Sequence, residues 1–367
     1  MKLKCNRQEL TNAISIVERA VSVKSTMNIL EGIFMEAKNN ELRFLSNNLE
    51  LGIDCKIPAE VSADGAVVVK ANLFSVAVKK LPDFEDDVFI EVDENETINL
   101  CCGNAKFDFS TAKADEFPRL PAVDDEKSFA IQEDTLKSMI RQTIYAVAQT
   151  DMKPYLSGIY FDIKEGNIHM VGCDGYRLAI RKEPIDTQET IHFIVPGKTA
   201  KELLSILGDS DFKITVFLSD KYAKLQLKNC EITTRLIEGE YLDYNSVSKH
   251  KNTLVITTET KKILDSIDRA SLIVSEASKS HVVLKIEDDN VYINCETVMG
   301  KVKDKFSVNM IGEPIEIAFN PKYLIDAFKN TDCSEIKFSF STPVNPTTIE
   351  PVDGDSFLYI VLPVRLH

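Results

Sequence analysis

The sequence predicts an α+β fold in three consecutive copies, each with two helices and about eight strands. Three observations predict it. A strand–helix layout at residues 1–21 returns at 127–147 and again at 252–274. A second helix recurs further along each copy, ending at Pro, Gly or a polar pair. Between the two helices lie segments with period-2 alternation, the mark of strands buried on one face. At 367 residues the chain is long enough for two or three domains that each bury a core.

In the first copy, the alternating start Met1–Arg7 reads as a short strand. The following segment places Leu10 and Ile14 on one helical face by their i, i+4 spacing. Glu41–Ile57 reads as a hairpin turning near Asn47-Asn48, and Asn72–Leu81 as a helix stopped by Pro82. In the second copy, Leu136 and Ile140 stand 126 positions after Leu10 and Ile14, and Ala146-Val147 repeats Ala20-Val21. Asn167–Lys182 is a hairpin whose Asp174-Gly175 is a strong tight-turn signal, and Lys198–Leu207 is a helix ended by Gly208. In the third copy, Ile263 and Ile267 stand 127 positions after Leu136 and Ile140. Val291–Phe306 should turn near Glu296-Thr297, and Pro321–Asn330 begins with a proline suited to a first helical turn. The polar connections Ala122–Ser128 and Asn245–Asn252 divide the chain into domains 1–122, 128–247 and 252–367.

Composition narrows the function. Hydrophobic residues at 44% and charged residues at 27% exclude disordered and fibrous classes. No segment approaches the roughly 20 apolar residues of a membrane span; the longest apolar run is Phe357–Val364. The charged start Met1–Arg7 lacks the apolar core of a secretion signal, so a cytoplasmic protein is expected. Eight cysteines, at 5, 55, 101, 102, 173, 230, 295 and 333, form no Cys-x-x-Cys pair. They read as reduced and packed, with neither a zinc site nor a disulfide framework.

Catalytic signatures are missing. The histidines at 169, 192, 250, 281 and 367 have no metal-ligand spacing. Gly197-Lys198-Thr199 resembles the end of a phosphate loop, but His192 stands where that loop needs glycine. The acidic runs Asp83–Asp87 and Asp124–Glu126 read as solvated surface. The formal charge is −14, yet the six expected helices sum to +4, which leaves −18 for strands and loops. Helices facing a polyanion produce this segregation, and so do surface helices that simply tolerate lysine.

Three segments carry a resemblance over the whole chain. Tyr359–Leu366 (Tyr-Ile-Val-Leu-Pro-Val-Arg-Leu) resembles the terminal strand of the bacterial DNA sliding clamp family, the beta subunit of DNA polymerase III. Asp174–Ala179 resembles that family's central Asp-Gly-[His/Tyr]-Arg-Leu segment. Phe107–Ser110, followed by Glu116-Phe117-Pro118, resembles its first-domain pattern. The resemblance implies three clamp domains and a head-to-tail homodimer closed as a ring around double-stranded DNA, with helices lining the hole and sheets outside. It implies a DNA polymerase processivity factor without catalytic residues, cofactor or metal. Its partners would be duplex DNA held by topology, the replicative polymerase, the clamp loader and other clamp-binding proteins.

Residue by residue, the resemblance gives a partner-peptide pocket of Leu156, Cys173, Gly175, Tyr176, Arg177, Leu178, Leu242, Val247, Ile360, Leu362, Pro363, Val364 and Arg365. Alternation along the last strand puts Ile360, Leu362 and Val364 on one face and Val361 on the other. Leu242 stands where the family often has Pro, Ser246 where it often has Arg, and Cys173 where Thr is common. Lys24 and Lys198 match basic DNA-facing positions, and Lys153 and Tyr155 fall on a loop that approaches the duplex. Here Pro154 replaces an aromatic residue and Gly197 a basic one, while Lys79, Lys80 and Lys201 join the DNA set through helix charge alone. Phe107, Leu272 and Ile273 match the subunit interface. A peptide-binding scaffold that lost the duplex and an enzyme with a dispersed site remain open as alternatives.

Overall fold

The computed structural model describes residues 1–123, 127–149, 153–247, 252–274 and 281–365. Parts of both predicted connections, His250, and the Leu366–His367 end lie outside the described residues. The first repeat runs β1 (Lys2–Asn6), α1 (Arg7–Val17), β2 (Gly32–Lys38), β3 (Glu41–Asn47), β4 (Leu51–Ala63), β5 (Gly65–Lys70), α2 (Ala71–Lys79), β6 (Asp87–Val92), β7 (Thr97–Cys102) and β8 (Ala105–Lys113). The second follows the same order: β9 (Lys127–Gln132), α3 (Glu133–Ile144), β10 (Gly158–Lys164), β11 (Asn167–Cys173), β12 (Arg177–Pro184), β13 (Ile191–Pro196), α4 (Gly197–Ile206), β14 (Lys213–Leu218), β15 (Tyr222–Gln226) and β16 (Cys230–Arg235). The third repeats it with one extra short strand: β17 (Leu254–Glu259), α5 (Thr260–Ser271), β18 (Val282–Glu287), β19 (Asn290–Thr297), β20 (Gly300–Ser307), β21 (Asn309–Gly312), β22 (Ile315–Phe319), α6 (Pro321–Lys329), β23 (Glu335–Phe340), β24 (Thr347–Pro351) and β25 (Phe357–Val361).

The helices form where the apolar spacing placed them. Leu10, Ile14, Leu136, Ile140, Ile263 and Ile267 are all essentially inaccessible. Capping chemistry sets two of the starts. The Asn6 side chain accepts from the Gln8 and Glu9 N–H groups at 2.9 and 3.1 Å. The Asn320 side chain accepts from Lys322 N at 3.0 Å, just before Pro321. On the observed bounds α1 and α3 are neutral and each of the other four helices carries +1, so the helical excess stands.

The chain forms two compact units, Met1–Asp134 with Ser205–Leu236, and Thr135–Leu204 with Ile237–His367; α3 and α4 both cross the division. In the first unit one sheet of twelve strands runs β1-β6-β7-β8-β5-β2-β3-β4-β16-β15-β14-β9, with β1 also pairing β4. In the second, a nine-stranded sheet runs β13-β10-β11-β12-β25-β24-β23-β17-β21, beside a four-stranded sheet β20-β19-β18-β22. The middle repeat thus divides its strands, continuing the first repeat's sheet through β16 and the third repeat's sheet through β12.

Two expectations are corrected. Cys55 and Cys230 are disulfide-bonded across 175 residues. They stand directly opposite each other on β4 and β16, so sheet register made the pair and sequence spacing could not reveal it. The other six cysteines are free. The terminal strand ends at Val361, because Pro363 has no N–H to continue a ladder. The alternation argument therefore reaches Ile360 and Val361 only, which do lie in different apolar clusters. Beyond them the chain is held by two bonds, Leu362 N to Tyr176 O at 2.9 Å and Val364 N to Ala318 O at 2.7 Å.

Candidate functional site

The candidate site lies on one face of the nine-stranded sheet in the second unit. Strand periodicity builds it in rows. Cys173, Leu178 and Ile360 stand opposite one another on β11, β12 and β25. Two residues along, Tyr160, Val171, Ile180 and Leu358 form the next row across β10, β11, β12 and β25. Two residues further, Asp162, His169 and Lys182 form a polar third row. The opposite face is closed by α3, so close that a Cβ at Gly172 would stand 2.3 Å from Thr143 O.

Leu156 joins the first row, and the segment Tyr241–Val247 lies over the second, so six of the assigned pocket residues meet in one apolar cluster: Leu156, Cys173, Leu178, Leu242, Val247 and Ile360. Burial pushes the Cys173 thiol up, against the opposing Gly175 N–H and Lys153 charge, and burial likewise raises the phenols of Tyr160, Tyr241 and Tyr244. The floor therefore carries no charge at neutral pH. An uncharged apolar depression of this kind takes up apolar side chains.

The other assigned residues form its rim. Asp174 Oδ1 accepts from Tyr176 N and Arg177 N at 2.8 and 2.9 Å, closing the turn. Gly175 sits at φ +90°, where a Cβ meets no neighbour, so conformation and not space selects glycine there. Tyr176 is 61% exposed and stacks on Tyr323. Leu362, Pro363 and Val364 are half-buried and Arg365 is exposed.

Sequence reasoning missed what holds Arg177. Its guanidinium donates to Asp174 at 3.0 Å and to Asp326 at 2.5 Å, and lies over the rings of Tyr323 and Tyr145 at 4.7 and 5.3 Å. Tyr323 and Asp326 come from α6, which no local pattern connects to the β11–β12 turn. Tyr160, Val171 and Ile180 were also missed, although the alternation through Cys173 and Leu178 pointed to them.

The residues assigned to DNA are placed separately. Lys24 and Lys80 are exposed in the first unit, and Lys79 there pairs with Glu18 of the turn after α1. Lys153, Lys198 and Lys201 are exposed in the second unit. Tyr155 is half-buried and meets Tyr241 edge-on at 6.3 Å, which puts its ring in the apolar cluster. Of the interface residues, Phe107 stacks on Phe109, Leu272 is 81% exposed, and Ile273 packs partly against its own core.

Among the described residues, the unpaired strand edges include those of β8 and β20. In β8, Ala105–Ser110 pairs β7 on one side, while only Thr111–Lys113 reaches β5 on the other. β20 is the outer strand of its sheet, with Lys301, Lys303 and Lys305 exposed. No helix among the described residues is long and apolar enough to cross a membrane.

Comparison with known proteins agrees with this architecture. Three family models of the DNA polymerase III beta subunit match in order, the N-terminal domain at residues 1–121, the central domain at 130–243 and the C-terminal domain at 247–365. The beta sliding clamp of Bacillus subtilis is 30% identical, with all of both chains covered. Its crystal structure superposes with a TM-score of 0.95 at 30% identity, over the whole of each chain. The crystal structure of a putative DNA polymerase III beta subunit from Eubacterium rectale superposes at 0.93 with 32% identity, over 99% of each chain. With three matched domains, a full-length match to a curated sliding clamp and the fold of the solved ones, the chain belongs to the bacterial DNA polymerase III beta subunit family, the sliding clamps, which are non-catalytic processivity factors of DNA replication.

Proposed function

We propose that the chain acts in the cytoplasm as a head-to-tail homodimeric ring threaded by double-stranded DNA, and that the cluster around Cys173 and Ile360 is the pocket through which it tethers its partners. The partners are the replicative polymerase, the clamp loader and other clamp-binding proteins, each contributing a short apolar peptide. The three domains of the ring-forming subunit are 1–122, 128–247 and 252–367. The observation that carries the pocket is convergence: Leu156, Cys173, Leu178, Leu242, Val247 and Ile360, drawn from four separate stretches of sequence, meet in one apolar cluster beside a rim with an exposed Tyr176.

Two free strand edges support the dimer. An exposed edge invites another strand, and the Ala105–Ser110 stretch of β8 can pair with β20 of a second copy. Lys24, Lys79, Lys80, Lys153, Lys198 and Lys201, with Tyr155, remain the assigned duplex contacts. A closed ring holds DNA by topology and needs only weak charge contacts, which leave it free to slide.

Calorimetry with a hexapeptide ending Leu-Phe tests the pocket. Leu362→Ala should weaken binding three- to tenfold, since a bound peptide would bury the exposed part of this half-buried side chain, about half of the roughly 1.5–3 kcal/mol that full burial of a leucine contributes. Unchanged affinity would rule out this location. Arg177→Ala is the poorer probe, because it strands Asp174 and Asp326 and disturbs the fold as well as the rim.

A further inference from the structure

One wall of the pocket has little backbone support. Ile237 N bonds Ile194 O at 3.0 Å, but from there to Val247 the backbone hydrogen bonds are internal, Ser246 N to Asp243 O at 3.3 Å and Val247 N to Tyr244 O at 3.4 Å. Two tyrosines tie the segment to the sheet by hydrogen bonds. Tyr241 stacks on Tyr160 with ring centroids 4.6 Å apart and donates its hydroxyl to Val171 O at 3.3 Å. Tyr244 is 3% exposed, and its hydroxyl donates to Asp162 Oδ2 at 2.5 Å and lies 2.9 Å from His169 Nδ1.

The geometry of that second tie is specific. Asp162 and His169 stand directly opposite each other on β10 and β11, so sheet register fixes the two groups that grip the hydroxyl. An ionised Asp162 accepts the phenolic O–H, which leaves the phenol oxygen to accept from His169 Nδ1–H. Asp162 is further held by Lys164 Nζ at 3.2 Å. The grip lies four residues along the strands from the Cys173 row, roughly 13 Å at 3.3 Å per residue, so the hydroxyl is remote from the pocket floor. Leu242 and Val247 flank Tyr244 on the two sides and both pack into the pocket cluster.

We propose that Tyr244 is a positioning residue for peptide capture: gripped by Asp162 and His169, it holds the wall segment so that Leu242 and Val247 face the pocket. This rests on the pocket reading above. Without the hydroxyl the wall has one hydrogen-bonded tie left, it samples withdrawn positions, and the apparent affinity falls by the fraction of time the wall is away.

The test is fluorescence anisotropy on the full chain with a fluorescein-labelled hexapeptide ending Leu-Phe, arranged as a double-mutant cycle. Tyr244→Phe should weaken binding five- to tenfold. In a background carrying both Leu242→Ala and Val247→Ala the same change should cost less than twofold, because the contacts through which it acts are gone; a merely structural loss would cost the same in both backgrounds and would overturn the proposal. Wild-type affinity in Tyr244→Phe, with Leu362→Ala weakened, would also overturn it while leaving the pocket standing. If Leu362→Ala binds normally too, the pocket itself is misplaced and the proposal falls with it. Should Tyr244→Phe fail to fold, His169→Phe, which deletes one of the two grips and keeps the tyrosine, carries the same cycle and the same outcomes.

Discussion

Arg177 has the side chain of a surface residue and the surroundings of a core one: two carboxylates, two aromatic rings and a side chain only 10% exposed. Its charge is consumed in joining the β11–β12 turn to α6, which makes it architecture for the rim. His169 gives a second consequence at this scale. Burial, reinforced by Lys182, holds its imidazole below the ordinary value of 6.5. A base depressed in the folded state stays neutral there, while the unfolded chain takes up a proton as pH falls through about 6.5. Its contribution to stability is thus full above 6.5 and declines below it. Melting temperatures between pH 7 and pH 5 should fall more steeply for the wild type than for His169→Phe, and parallel curves would contradict this. The Asp174-Gly175 turn was legible in the sequence because its chemistry is local, an aspartate capping two N–H groups and a glycine at positive φ. The Arg177–Asp326 pair and the Tyr244–Asp162 bond were not, because residues 149 and 82 positions apart are joined only by tertiary packing.

At the scale of elements, all six helices and all three hairpins could be read from periodicity, since both patterns repeat within a few residues. The third hairpin turns at Val298-Met299, just past the expected Glu296-Thr297. How the strands assemble was not legible. Nothing in spacing foretells that β16 extends the first repeat's sheet, that this register brings Cys55 against Cys230, or that β8 and β20 keep free edges. Those edges, with Leu272 at the end of α5, carry the dimer prediction. Ile273 already packs on its own core, so replacing it mixes folding with association. Leu272 is 81% exposed and probes the interface alone. Leu272→Glu should weaken the dimer at least tenfold, since it removes roughly 1.5–3 kcal/mol of apolar burial and adds a charge to be desolvated. Sedimentation velocity at a concentration where the wild type is dimeric should then show monomer; an unchanged profile would contradict the assigned face.

For the whole molecule, net charge and function first seem opposed. A chain at −14 should be repelled by DNA, and a binder that relied on phosphate contacts would need the opposite sign. Confinement removes the conflict. In the proposed ring, helices with a modest excess of lysine would offset local repulsion, while the acidic remainder would discourage adhesion to DNA elsewhere. Net charge alone argues against a nucleic-acid partner and the family motifs argue for one; the difference lies in whether affinity or topology does the holding. The most direct test loads the protein onto nicked circular duplex with a clamp loader, separates the complex from free protein by gel filtration, and then linearises the circle. The protein should co-elute with the circle and leave once free ends are cut. Retention on the linear product, or no retention on the circle at all, would contradict encirclement.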